Sequence, residues 1–395
     1  MAATAPEQAG TSAETQPRQP IWLRCEKKPH EHRSALTPTT AKVLLDNNFE
    51  VFVERDPQRI FDDAEFEAVG CKLVPNGEWP SAPVEVPIIG LKELPESTDP
   101  LPHTHIQFAH CYKQQAGWND VLRRFAHGQG TLYDLEFLED PATKRRVAAF
   151  GFFAGFAGAA AGALAFAKQQ EDGGKGVLKD LKPYKNEDAM IAQVQEALES
   201  VKGGKENVKV LIIGALGRCG SGAVDLFRKV GLQEENITKW DMAETAKGGP
   251  FPEILDVDIF VNCIYLSQPI PKFITSDFIA AAGDARRLSV VVDVSCDTTN
   301  PHNPIPIYNI NTTFPEPTVE VDTKGVGKRL TVISIDHTPT LLPREASEQF
   351  SKDLLPSLLQ IPQRSTAPVW TNAEKLFRQK MEEARVYDEK NGISA

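Results

Sequence analysis

From Ile21 to Ser334 the chain repeats one alternation: a short apolar run, a turn-forming stretch, then a segment with helical spacing. In the first third the runs are Ile21–Cys25, Glu50–Glu54, Lys72–Pro75, Val86–Lys92, His105–His110 and Thr131–Phe137. Helical spacing fills the intervals after Thr37-Pro38, over Ala64–Val69 and between Gln115 and His127. Thr37 reads as an N-cap with Pro38 at the first helical position. A second series follows at Val208–Ile213, Ile237–Trp240, Ile259–Ile264, Val290–Val294 and Leu330–Ser334. Short strands alternating with helices predict an α/β protein with mostly parallel sheets. After Pro343 the pattern turns wholly helical, and these last helices are expected to return to the first unit. The expected organisation is a tail over 1–20, a first unit of 21–148 with 344–395, and a second unit of 149–343.

Two stretches depart from the alternation. Val147–Ala167 carries no charged or polar side chain and is long enough to span a bilayer. It is dominated by Ala and Gly, however, which suits a helix packed tightly between two units, and no membrane is expected as a partner. Residues 173–185 are charged and Gly-containing and read as a linker. The opening twenty residues, rich in Ala, Thr, Gln, Glu and Pro, lack any apolar period and read as disordered.

Composition narrows the function. A length of 395 residues makes two domains the default. A net charge of −11 argues against nucleic acid, so a polyanionic substrate must be met by local arginines. The six cysteines have no metal-ligand spacing, and no metal is expected. His103-Thr-His105 lacks a suitably spaced third ligand. Cys219 and Cys263 fall where they could approach each other, leaving a disulfide or, by default, two free thiols. With no signal peptide and no S-K-L type C-terminus, a cytoplasmic location is expected.

Candidate chemistry begins at Val208–Gly222, VKVLIIGALGRCGSG, a buried strand emptying into a glycine turn and then a helix. Such a turn lets backbone N–H groups face a pyrophosphate. Asp241 ends the next strand about 20 residues on, where a carboxylate bonds a ribose 2′-OH and repels a 2′-phosphate. This predicts NAD as cofactor. In open α/β sheets ligands bind at the carboxyl ends of strands. In the first unit that rule selects Arg33, Lys92, His110 and Glu136, with Arg145 and Arg146 just beyond. Oxidation of an amine to an imine, then hydrolysis, needs one base at the amine and a second acid/base at water. Lysine serves as a base only with a lowered pKa; nearby arginines lower it, while Glu93 and Glu136 oppose them. Arginine is the best carboxylate clamp.

At these residues the chain resembles the fungal NAD-dependent, L-lysine-forming saccharopine dehydrogenases. The shared stretches include ALTPTT, IIGLKELPE, HIQFAHCYK, GTLYDLEFLE, LIIGALGRCGSGA and SIDHTPTLLPREAS, and the likeness runs from about Ile21 to Phe377. The resemblance implies two Rossmann-like domains with the active site in the cleft between them. It implies Lys92 as general base and His110 as acid/base for imine hydrolysis. Arg33, Arg146 and Phe150 would line the substrate site with Lys92, as would Ser295, Cys296 and Asp297. For NAD the matching positions are Gln115, Arg145, Gly217, Arg218, Asp241, Thr245, Tyr265, Val294, Ile335, Asp336, His337 and Thr338. The substrates so implied are saccharopine, L-lysine and 2-oxoglutarate, and a monomer is expected. The rivals are another amino-acid dehydrogenase and a nucleotide-sensing module without turnover.

Overall fold

The computed structural model describes residues 17–393 apart from residues 267, 297 and 299. The expectation of a tail therefore lies outside the described residues as far as 16. Gln19 and Pro20 already belong to the first strand, and the Gln19 N–H bonds Asn48 O at 2.9 Å.

Two six-stranded sheets organise the chain. The first holds β1 (Gln19–Leu23), β2 (Phe49–Glu54), β3 (Lys72–Val74), β4 (Ile88–Ile89), β5 (Thr104–Gln107) and β6 (Thr131–Asp134). Its order is β3-β2-β1-β4-β5-β6, parallel throughout. The second holds β7 (Val210–Ile213), β8 (Ile237–Trp240), β9 (Ile259–Asn262), β10 (Val290–Asp293), β11 (Val319–Glu320) and β12 (Thr331–Ile333). Its order is β11-β12-β10-β9-β7-β8, with only β11 antiparallel. The central strands β7, β9 and β10 are buried at every position, as parallel strands covered on both faces must be.

Local signals act as their chemistry dictates. Thr37 caps the helix Pro38–Asp46 in a capping box with Thr40. The segment expected as a strand over Val86–Lys92 pairs regularly only at Ile88–Ile89. Pro87 has no N–H to donate, and beyond Ile89 the side chains of Arg24 and Glu26, just past β1, fill the gap between strands. The linker 173–185 is irregular but fastened: Asp180 and Leu181 donate backbone N–H groups to Pro315 and Phe314, and Tyr184 to Leu341.

The apolar stretch forms the helix Gly151–Gln170, starting four residues later than the pattern suggested because Arg146–Phe150 makes the crossing into it. It is buried along nearly its whole length against the second sheet and the helix Arg218–Lys229. Its small residues permit this. A Cβ on Gly155 would stand 1.8 Å from Cys219 O, and one on Gly222 1.9 Å from Phe152 O. The helices Pro343–Leu358 and Pro368–Lys390 send Phe350, Leu354 and Trp370 into one core with Ile21, Val51 and Ile89 of the first sheet. His103 and His105 pack edge-on against Trp79, and His105 against Phe125.

Candidate active site

Each sheet has one place where neighbouring strands lead off in opposite directions, β1/β4 in the first and β7/β9 in the second. Such a switch point opens a crevice at the carboxyl ends. Lys92 follows β4 at the first of these, half-buried. Burial and the Arg33 guanidinium hold its ammonium pKa below the usual lysine value; Glu31 opposes them, Lys28 adds to them and Glu93 opposes. The pull was expected from arginines and the opposition from Glu93 and Glu136. Glu31 takes the place foreseen for Glu136, which faces His110 instead.

His110 lies just past β5 in a left-handed backbone conformation, φ 54°. Its ring stands between two carboxylates, Nε2 3.7 Å from Glu93 and Nδ1 3.8 Å from Glu136, in ion-pair range but beyond a hydrogen bond. Burial lowers its pKa, Glu93 and Glu136 oppose, and Lys92 and Lys28 lower it further, for a net fall. The imidazole is thus neutral at pH 7 and able to accept a proton. Glu136 is itself held by Lys113 at 2.6 Å and Arg146 at 3.4 Å.

Arg33 is placed differently from a free carboxylate clamp. It is buried, and its fork lies on Glu31, Nε and a terminal nitrogen at 2.8 and 2.7 Å from the two carboxylate oxygens. Its guanidinium sits 4.5 Å over the Phe150 ring, which stacks on Phe350. Periodicity locates charges without saying which of them pair, so Glu31, two residues away, was missed.

At the second switch point the glycine turn leads from β7 into the helix Arg218–Lys229, with Gly217 as N-cap. Ser221 N–H is the first to bond back, onto Gly217 O, leaving the N–H groups of Arg218, Cys219 and Gly220 ahead of the helical ladder. Asp241 caps the next short helix and accepts from Leu216 N–H at 3.1 Å, so its carboxylate lies beside the turn. Leu216, Met242 and Tyr265 project exposed from the ends of β7, β8 and β9, and the first two were not anticipated. Unpaired N–H groups, a carboxylate and an exposed apolar rim fit pyrophosphate, ribose and adenine respectively, so these residues suit a dinucleotide. Thr245 donates its hydroxyl to Asp241 O.

Beyond β10, Ser295 spends its hydroxyl on Asp293 at 2.6 Å, and Cys296, φ 51°, donates its thiol to Asp293 O. Asp297 lies outside the described residues. Asp293 also accepts from Asn262 and Tyr308, a buried hub with no sequence signature. Cys219 and Cys263 are both free thiols. They lie close together: a hydrogen bond with Cys219, then burial, holds the Cys263 thiol pKa well above its usual value. The disulfide alternative is therefore not the state of this structure.

Between the sheets lies a cavity of about 910 Å³. From the first half it is lined by Lys28, Glu31, Lys92 and His110, and from the second by Lys182, Phe314, Asp336 and His337. Asp336 is hydrogen-bonded to His337 Nδ1. That bond, against burial, holds the Asp336 pKa low, and the charges of Lys92 and Lys28 lower it further from across the cavity. Val294 and Ile335 lie in or against the core of the second sheet, and Thr338 donates to Ala154 O. Arg218 donates to Arg146 O at 3.0 Å, tying the glycine-turn helix to the crossover. Gln115 and Arg145 sit on exposed loops and do not line the cavity. Lys28, Lys182 and Phe314 line it without having been singled out from sequence.

Comparison with known proteins agrees with this arrangement. Residues 22–157 match the family model described as alanine dehydrogenase/PNT, N-terminal domain. Two solved structures share the fold. An L-alanine dehydrogenase superposes with a TM-score of 0.61 at 16% identity, covering 91% of this chain and 94% of that one. A transhydrogenase from Sinorhizobium meliloti gives 0.56 at 14%, covering 87% and 94%. Among curated sequences, the saccharopine dehydrogenase (NAD(+), L-lysine-forming) of Yarrowia lipolytica is 63% identical over 358 residues, covering 90% of this chain and 96% of its own length. Its namesake in Candida albicans is 59% identical over 369 residues, with coverage of 90% and 96%. That of Schizosaccharomyces pombe is 56% identical over 360 residues, with 90% and 97%. Identity above one half over nine-tenths of the sequence, on a fold that opposes two switch points, settles the relationship: the chain belongs to the NAD(+)-dependent, L-lysine-forming saccharopine dehydrogenase family.

Proposed function

We propose that this protein oxidises saccharopine with NAD and water to L-lysine, 2-oxoglutarate and NADH, with Lys92 as base at the substrate amine and His110 as acid/base at the water step. The observation that carries the reading is that Lys92 and His110 line the same cavity as Asp336 and His337 of the opposite half. The glycine turn and Asp241 would hold NAD, which would supply the acceptor for the hydride on the amine-bearing carbon. Lys92, its pKa held down by burial and Arg33, takes the proton that the secondary amine gives up as the C=N bond forms. Neutral His110 accepts a proton from water as its oxygen adds to the imine carbon. It returns that proton to the nitrogen to give the carbinolamine; as the C–N bond then breaks, the hydroxyl loses its proton to the same nitrogen, the carbonyl of 2-oxoglutarate forms, and lysine leaves with its amine restored. The Glu93 and Glu136 carboxylates flanking His110 stabilise the imidazolium formed between these two transfers.

The test is NADH absorbance in the reverse direction. Oxidation of NADH that depends on both L-lysine and 2-oxoglutarate is expected, and loss of NADH with pyruvate and ammonia instead would point to an alanine-type dehydrogenase. Lys92→Met should retain NADH affinity and lose turnover by about 10²-fold or more. Unchanged turnover in that variant would remove Lys92 from its role.

A further inference from the structure

We propose that Arg24 and Glu26 are positioning residues for Lys92: a buried ion pair that takes over from strand pairing at the point where β1 and β4 part. The proposal rests on the reading of Lys92 as the base. Regular pairing between these strands is confined to Trp22 with Ile88 and Leu23 with Ile89, and the last ladder bond runs from Arg24 N–H to Ile89 O. Beyond it the first switch point opens, and the backbone of residues 90–92 has no strand on its β1 side.

Side chains do the strand's work there. The Glu26 carboxylate accepts the N–H of Leu91 at 2.6 Å and that of Lys92 at 3.0 Å, one on each oxygen. The Arg24 guanidinium donates to the Lys92 carbonyl and, at 3.1 Å, to Gln107 Oε1 next to the β5 end. The two ions pair with each other at 3.4 Å. Lys92 is therefore gripped at both its N–H and its C=O by residues that never touch the cavity. Arg24 and Glu26 are 1% and 7% exposed, so neither is a solvated charge that happens to lie nearby. Gly90 completes the device, because a Cβ there would stand 2.4 Å from the guanidinium carbon.

Space-filling does not account for this pair. Apolar side chains fill a crevice at lower desolvation cost than two ions, but they leave the Leu91 and Lys92 N–H groups without acceptors. Nor is Arg24 among the charges that weigh most on the amine, which are Arg33, Glu31, Lys28 and Glu93. What remains is placement of the backbone from which the amine reaches the cavity.

The experiment compares Arg24→Lys, Glu26→Gln and Lys92→Met in NADH oxidation with lysine and 2-oxoglutarate. Arg24→Lys and Glu26→Gln should each lower kcat by about 10- to 100-fold. NADH affinity by fluorescence titration should stay within about twofold, with the limbs of the pH–rate profile unmoved. Glu26→Gln keeps the shape and one accepting oxygen, and it alone decides the matter if Arg24→Lys does not accumulate. Wild-type kcat in Glu26→Gln overturns the proposal. So does a fall in kcat matched by equal losses of NADH affinity and thermal stability, the mark of a structural role. A shifted pH limb overturns it in favour of an electrostatic one. If Lys92→Met turns over normally, the reading of Lys92 fails; if only Lys92→Met is impaired, that reading stands and the positioning role alone fails.

Discussion

The two halves of the molecule face each other with the same part of the same kind of sheet, yet they hold what they present by opposite means. At the carboxyl ends of the first sheet the devices are long charged side chains: Glu26 on the backbone of Lys92 and Glu31 on Arg33. At the glycine turn of the second sheet they are main chain and missing side chains: N–H groups ahead of a helical ladder, and a helix pressed to within a Cβ of its neighbour. The difference follows from what each half must do. A dinucleotide phosphate is met by backbone N–H groups, which require close approach and nothing in the way. Proton transfer needs side chains whose pKa values are set by neighbours, and neighbours that set a pKa are ions.

The largest effect is expected where the second half tolerates no atom. Gly222→Ala places a Cβ 1.9 Å from the carbonyl of Phe152 on a packed helix, where only backbone movement relieves it. A loss of about 3 kcal/mol or more is expected in denaturant titration. Gly217→Ala, at the N-cap of the same helix, has ordinary φ, −76°, and a nearest neighbour at 3.3 Å, so its cost should stay below about 1 kcal/mol. Equal stability of the two variants would break the contrast between a backbone-built half and a charge-built one.

The same contrast explains what was legible in the sequence. A glycine turn, the strand before it and Asp241 after it lie within one βα unit, so their relation is written as spacing along the chain. Thr37-Pro38 is likewise local, and its capping box is where the pattern puts it. The grip on Lys92 joins positions 66 and 68 residues apart, and nothing in the LRCE or GLKE stretches signals it. Arg33 is the instructive case. Its position past β1 was readable, whereas its pairing with Glu31 depends on χ angles and burial that no periodicity encodes. The glycines of 151–170 were legible as a sign of tight packing, but not which carbonyls they would meet.

A second test separates the halves by pH. Asp134 at the end of β6 is buried, and one of its oxygens has no hydrogen-bond partner. Burial pushes its carboxyl up to about 7, against the backbone N–H of Glu136. The folded protein therefore holds a proton there that the unfolded chain, titrating near 4, has lost. Stability from this group is fully present below about pH 4 and drains as pH rises through 7. Asp134→Asn cannot titrate. Measured against it, the wild-type protein should lose about 2 kcal/mol between pH 5 and 7. Parallel stability–pH curves for the two proteins would show that Asp134 is not the protonated strut its surroundings imply.

The smallest expected effect tests the carboxylate beside the glycine turn. Asp241 accepts from Leu216 N–H in the turn and from Met242 N–H as an N-cap, so its carboxylate is fixed on two sides before any ligand arrives. Asn at this position keeps one accepting oxygen, enough for the cap on Met242 N–H though not for the Leu216 N–H as well, and it removes the negative charge. What changes is the field met by a ribose: a neutral amide still bonds a 2′-OH but no longer repels a 2′-phosphate. Asp241→Asn should therefore fold normally, lose little NADH turnover, and narrow the preference for NADH over NADPH by about tenfold in kcat/KM. An unchanged preference would mean that cofactor choice is made by shape rather than charge. It would also leave the glycine turn to hold its ligand by main chain and shape, sharpening the contrast with the half that carries Lys92.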